Sequence, residues 1–77
     1  MTQVEKEKLS NEIKLQRFKT KKTQEDCAKA LCMSVPTYKN IEDNPDKMSI
    51  DYIIRLSDFL DFNLLKFFLN DVLQNAI

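Results

Sequence analysis

Two residue types on which many catalytic and phosphate-binding motifs depend are missing from this chain. Its 77 residues include no histidine and no glycine, and its two cysteines are Cys27 and Cys32. Without histidine there is no evident pair of nucleophile and base, and without glycine there is no glycine-rich phosphate loop. Two cysteines supply only half of a zinc ligand set, here at an unsuitable spacing. We therefore expect no enzyme activity, no catalytic residue, no metal site and no cofactor.

The charged residues are distributed unevenly along the chain. The formal net charge is zero, yet residues 1–40 carry nine Lys and Arg against five Asp and Glu. Residues 41–77 carry three Lys and Arg against seven Asp and Glu. Such an excess of positive charge in one half is typical of a protein that binds a polyanion through that half. The alternative is an ordinary charged surface in contact with solvent.

Length and composition limit the structure that can position these charges. A chain of 77 residues forms at most one domain, and its small core gives marginal stability, so oligomerisation is expected. No apolar run approaches the ~20 residues of a membrane span, and the charged N-terminus does not resemble a secretory signal. Two reduced cysteines are then typical of a cytoplasmic protein without a membrane partner.

The apolar spacing is helical throughout and predicts an all-α bundle of five helices. Residues 1–8 are expected to form a flexible N-terminal segment, and residues 9–77 a single domain. Threonine, serine and asparagine residues stand where helices should begin, because their side chains accept hydrogen bonds from free backbone amides. These N-caps are Thr23, Ser34, Ser49 and Asn63. The predicted helices span residues 9–19, 23–31, 35–43, 50–60 and 64–75.

Several side chains have an expected place in these helices. Leu9, Ile13 and Phe18 are expected on the buried side of the first helix. Pro36 should lie in the first turn of the third helix, where a missing amide proton is tolerated. Asn44 is expected to end that helix in a left-handed conformation, because asparagine often replaces glycine at this position.

The segment from residue 23 to residue 68 carries a combination of residues that is specific as a set. Its members are Thr23, Gln24, Glu25, Ala28, Leu31, Ser34, Ile41 and Glu42, followed by the helix that begins after Ser49. This pattern resembles the Cro/repressor-like (XRE) helix-turn-helix family. The resemblance implies a five-helix bundle of the phage-repressor type, with the helix-turn-helix at 23–43 and its second helix in the major groove of DNA. Cys32 stands where the family usually has glycine.

The resemblance also implies which residues would read the bases of DNA. The corresponding positions are Val35, Pro36, Thr37, Lys39 and Asn40. Three of them suit direct readout. Asparagine can pair with adenine through two hydrogen bonds, lysine can reach the acceptors of guanine, and threonine can contact the methyl group of thymine.

A second set of positions would contact the phosphate backbone. Gln24 matches a position of the family that contacts a phosphate and supports the recognition helix. The basic connector before it contains Lys19, Lys21 and Lys22, which we expect near phosphates. The alternative for these lysines is a solvated loop.

The last predicted helix is apolar on more than one side, whereas a peripheral helix needs a single apolar stripe. The surplus indicates a second buried surface, and helix-turn-helix proteins usually bind DNA as two-fold dimers. The expected dimer interface includes Phe67, Phe68, Val72 and Leu73. The alternative is that this helix only closes the core of a monomer.

Two hypotheses for function follow. The first is a transcriptional regulator that binds double-stranded DNA as a dimer, similar to a repressor of a phage or mobile element. The second is a protein-interaction module with the same fold, such as an antirepressor, an antitoxin or a binder of a host protein. Gln24 and Lys39, in the positively charged half, favour the first hypothesis, whereas the negatively charged half with its exposed apolar C-terminal helix favours the second.

Overall fold

The computed structural model describes residues 2–69, which form an all-α bundle, as predicted. Its elements are α1 (Gln3–Lys19), α2 (Gln24–Ala30), α3 (Val35–Asp43), a short 3-10 helix (Pro45–Lys47) and α4 (Ile50–Leu60). A fifth α-helix, α5, begins at residue 64 and is helical up to residue 69. No β-strand occurs within residues 2–69.

The helices begin at the predicted caps. The Thr23 hydroxyl accepts a hydrogen bond from the Asp26 amide, and the Asp26 carboxylate accepts one from the Thr23 amide. This reciprocal capping box supplies partners for two amides that a helix start leaves free. The bond from the Thr23 amide also lowers the pKa of the Asp26 carboxyl. Ser34, Ser49 and Asn63 each accept a bond from the amide three residues later.

Helix α1 begins earlier than the apolar pattern indicated. Its first residue is Gln3, whereas the sequence predicted a start at Leu9. The reason is a second capping box, in which Thr2 and Glu5 bond each other's backbone amides. The additional turns are mostly polar, so hydrophobic periodicity alone could not mark them.

One hydrophobic core joins all five helices. Its most deeply buried side chains are Leu9, Ile13, Cys27, Ala28, Leu31, Tyr38, Leu56, Leu60 and Leu64. The prediction for Phe18 is wrong, because this side chain is 81% exposed. A step of five residues from Ile13 turns about 140° around an α-helix, away from the core. The residue four positions after Ile13 is Arg17, and that side chain turns inward instead.

Within residues 2–69, three residues adopt left-handed backbone conformations, and each of them carries a Cβ atom. They are Lys21, Cys32 and Asp61, with φ of 58°, 56° and 52°. The prediction that Asn44 is left-handed is wrong, since its φ is −129°. Pro45 follows Asn44, and a residue before proline is driven towards extended conformations. Asn44 nevertheless closes α3, because its backbone amide and its side-chain amide both donate to the Asn40 carbonyl.

The left-handed turn at Cys32 gives a stability prediction. A Cβ atom in this conformation is strained by roughly 1–2 kcal/mol, and glycine has no Cβ. We expect Cys32→Gly to raise the free energy of unfolding by about 0.5–1 kcal/mol in urea denaturation. Cys32→Ala keeps the Cβ and is the matched control. Equal stabilisation by both substitutions would show that loss of the thiol, rather than relief of strain, is responsible.

Candidate nucleic-acid interface

Helices α2 and α3 pack against each other across a tight turn at residues 31–34. Ala28, Leu31 and Tyr38 lie between them and are at most 1% exposed. A small side chain such as Ala28 allows two helices to approach closely. The turn ends at Ser34, whose hydroxyl caps α3. The core thereby fixes the orientation of α3 relative to α2 and leaves the opposite face of α3 in solvent.

Four of the five predicted base-reading residues lie on that exposed face of α3. They are Pro36, Thr37, Lys39 and Asn40. Val35 requires a correction, because its side chain is partly buried and packs against the core. Val35 is the first residue of α3 and follows the turn directly. At this position its side chain faces the core, whereas Pro36 and Thr37, which follow it, face solvent. Pro36 lies in the first helical turn, as predicted.

The polar groups on this face have defined orientations. The Thr37 hydroxyl lies 2.8 Å from the Ser34 hydroxyl, and the Asn40 Oδ1 accepts a hydrogen bond of 2.9 Å from the Asn44 side chain. These bonds favour the observed orientations of both side chains. Lys39 is exposed, and within residues 2–69 no carboxylate forms an ion pair with it.

A buried carboxylate joins α3 to the two helices before it. Glu42 is 0% exposed and accepts two hydrogen bonds from the Arg17 guanidinium, each 3.2 Å long. It also accepts one of 3.3 Å from the Gln24 side-chain amide. The same Arg17 donates to the Lys22 carbonyl at 3.3 Å. Glu42 therefore links α1, the connector, α2 and α3 through charge-assisted bonds.

The contact between Gln24 and Glu42 bears on the expected role of Gln24. One N–H of its side-chain amide is directed at the buried carboxylate, so the side chain is held against α3. The bond therefore braces the start of α2 against α3. A second N–H remains on the same nitrogen for a contact with a phosphate.

Three acidic residues at the end of α3 and in the 3-10 helix, Glu42, Asp43 and Asp46, are each matched with a cation of α1. Besides the Arg17–Glu42 pair, Lys14 lies 3.0 Å from Asp43, and Lys6 lies 3.8 Å from Asp46. The local negative charge that the sequence places beside α3 is thus compensated.

The three lysines of the connector differ in their surroundings. Lys19 and Lys21 are exposed, and no carboxylate within residues 2–69 forms an ion pair with either. Lys22 is partly buried, and its Nζ lies 4.7 Å from the centroid of the Phe59 ring on α4. This cation–π contact holds the Lys22 ammonium against the protein.

Two buried titratable side chains of α2 and α3 have raised pKa values. Burial raises the pKa of the Cys27 thiol and, together with the nearby Glu42 carboxylate, that of the Tyr38 phenol. Both groups therefore stay protonated at neutral pH. Within residues 2–69, no group of three or more histidine, cysteine or acidic side chains could hold a metal ion.

The residues of the predicted dimer interface differ in how deeply they are buried. Phe68 is only 8% exposed and belongs to the core of a single chain, which corrects its assignment to a dimer interface. It lies one turn after the buried Leu64 and packs on the same side of α5. Phe67 is partly buried and contacts the Phe62 ring at 6.3 Å between centroids. Val72 and Leu73 lie outside the described residues.

The sequence did not indicate two features that bear on function, a buried ion pair behind α3 and an exposed apolar side chain on α5. The interaction of Arg17 with Glu42 could have been found, because each charged residue falls on the apolar stripe of its helix. Leu69, which is 51% exposed, is the apolar side chain that α5 presents to solvent most strongly among the described residues.

Comparison with known proteins does not place this chain in a family. No family model, no curated protein and no solved structure matches it. Within the described part of the chain, none of the helices is long and apolar enough to cross a membrane.

Proposed function

We propose that this protein is a cytoplasmic, sequence-specific DNA-binding regulator of the Cro/repressor-like helix-turn-helix class, with α3 as its recognition helix. The observation that carries the proposal is the exposed face of α3. It presents Thr37, Lys39 and Asn40 to solvent. The opposite face of the helix packs against the core and carries Glu42, which bonds to Gln24. Side chains with this chemistry can distinguish base pairs in the major groove.

The surrounding charge supports the same proposal. Glu42, Asp43 and Asp46 are paired with Arg17, Lys14 and Lys6, whereas Lys19 and Lys21 have no acidic partner within residues 2–69. A formally neutral protein can thereby offer unpaired cations to phosphates.

Selection from random DNA duplexes tests the proposed function. The purified chain is incubated with a random-sequence library at two salt concentrations, and bound duplexes are separated on native gels and sequenced. We expect an enriched motif, with weaker binding at the higher salt concentration. Absence of any enriched motif at both concentrations would contradict sequence-specific binding.

We further propose that the regulator acts as a two-fold dimer through α5, with Leu69 in the interface. Sedimentation at micromolar concentration should then give twice the 9.1 kDa mass of one chain. Leu69→Asp would place a charge in a dry interface and is expected to weaken dimerisation by roughly 100-fold. Ile50→Asp, at a residue that is 66% exposed on α4, is the control and should leave the dimer intact. A wild-type monomer, with or without DNA, would contradict the dimer.

A second candidate function is a protein-interaction module. It is favoured by a groove of about 420 Å³ beside α4 and the start of α5, which Ile54, Phe62 and Leu65 line together with Asp58 and Asp61. An apolar groove with an acidic rim suits a basic amphipathic segment of another protein. If selection from random duplexes finds no motif, this groove becomes the better candidate for the functional surface.

A further inference from the structure

A second groove lies where the end of α1 meets the start of α2. It has a volume of about 510 Å³ and is lined by Arg17, Phe18, Lys21, Lys22, Thr23 and Gln24. Its lining contains no carboxylate and owes its net positive charge to Lys21 and Lys22, because the charge of Arg17 is balanced by Glu42. We call it the connector cleft.

The walls of the connector cleft are held in place by contacts that do not involve its interior. Glu42 binds both Arg17 and Gln24, and the Phe59 ring holds the Lys22 ammonium. Lys21 is exposed, with no ion-pair partner within residues 2–69. The cleft is therefore a preorganised cationic surface that needs little rearrangement to receive an anion.

Phe18 gives the connector cleft an apolar side. It is 81% exposed, more than any other large hydrophobic side chain among the described residues. A free phosphate would use the cations of the cleft but leave this ring in water. The backbone of DNA offers both kinds of group, because each phosphate is flanked by deoxyribose rings whose C–H faces are apolar.

We propose, as an extension of the DNA-binding function proposed above, that the connector cleft binds a segment of the DNA backbone. In this arrangement the cations of the cleft hold one phosphate, and Phe18 packs against the deoxyribose next to it. The contact carries no base information, so it should strengthen binding to every sequence and fix the position of the protein on the duplex.

Fluorescence anisotropy with the full chain tests this inference on two labelled duplexes, one selected and one random, each over a range of salt. We expect Phe18→Ala to weaken binding to both duplexes by about tenfold, because an apolar contact is lost. The slope of log K against log salt should not change, since no charge is removed. Lys21→Ala should instead reduce that slope by about one. Leu15→Ala, at an exposed position one turn earlier on α1, is the control and should bind as the wild type does.

The possible failures are distinguishable. If wild-type protein binds neither duplex, the proposed function fails and this inference fails with it. If Lys21→Ala weakens binding but Phe18→Ala does not, the DNA-binding function stands and the contact of Phe18 with the backbone is refuted. If Phe18→Ala changes the sedimentation of the protein without DNA, the ring belongs to an interface between copies, which also overturns the inference. Circular dichroism checks that each variant keeps its helices.

Discussion

Glu42→Leu is expected to lower the free energy of unfolding by about 3–5 kcal/mol. The substitution removes a carboxylate that is 0% exposed and leaves the Arg17 guanidinium, only 22% exposed, without its partner. It also removes the acceptor of the Gln24 amide. Since small domains are typically stable by about 5 kcal/mol or more, the variant should be close to unfolded at room temperature. Urea denaturation followed by circular dichroism measures the effect.

Two further variants make this prediction specific to a buried charge. Combining Arg17→Met with Glu42→Leu removes both charges, and most of the lost stability should return, because apolar side chains of similar volume can replace a buried ion pair. Asp43→Leu breaks the neighbouring pair with Lys14, whose side chains are 62% and 43% exposed. That exposed pair should contribute less than about 1 kcal/mol. Equal losses in Glu42→Leu and Asp43→Leu would refute the structural role of the buried pair.

The helix starts could be predicted from sequence wherever a capping side chain preceded an apolar stripe. Thr23, Ser34, Ser49 and Asn63 all cap helices as expected. The start of α1 could not be predicted in this way, because its first turns are polar and only the Thr2–Glu5 capping box marks them. Local chemistry determines where a helix starts, and the apolar pattern only shows which part of the helix is buried.

The interior of the bundle was harder to predict where a charged residue replaced an apolar one. Leu9, Ile13 and Arg17 follow one another at intervals of four residues, and Tyr38, Ile41 and Glu42 occupy one side of α3. Each stripe thus contains one charged member, and the two charges are opposite. A pattern of apolar residues alone does not include Arg17 and places Phe18 in the core instead. A buried charge needs a partner, and this requirement pairs the two stripes.

The exposed surfaces of the candidate site were predicted in part. The outward positions of Thr37, Lys39 and Asn40 follow from the burial of Tyr38 and Ile41 on the other side of a short helix. Side-chain bonds such as the contact of Asn40 with Asn44 do not follow from periodicity, because they depend on rotamers. The burial of Phe68 was missed for a related reason, since an apolar stripe does not reveal whether it packs within one chain or against another.

The largest effect on sequence recognition is expected from the double substitution Lys39→Ala and Asn40→Ala. If α3 reads bases, each side chain that pairs well with a base contributes about 1–3 kcal/mol of discrimination, and the double variant should lose both contributions. Its affinities for the selected and the random duplex should then become nearly equal in anisotropy titrations. Binding to random DNA should persist, because the connector lysines are unchanged.

The structure provides the conditions that make this experiment decisive. Lys39 has no ion-pair partner within residues 2–69, and the Asn40 carbonyl, which both Asn44 amides contact, is part of the backbone and remains in the variant. The fold should therefore survive, as urea denaturation can verify. Lys47→Ala removes the same charge from an exposed position on the 3-10 helix and controls for a general electrostatic effect. We expect the control to retain its preference for the selected duplex. A folded double variant that retained the same preference would refute the assignment of α3 as the recognition helix, because the substitutions remove two of the three side chains on its exposed face that suit direct readout.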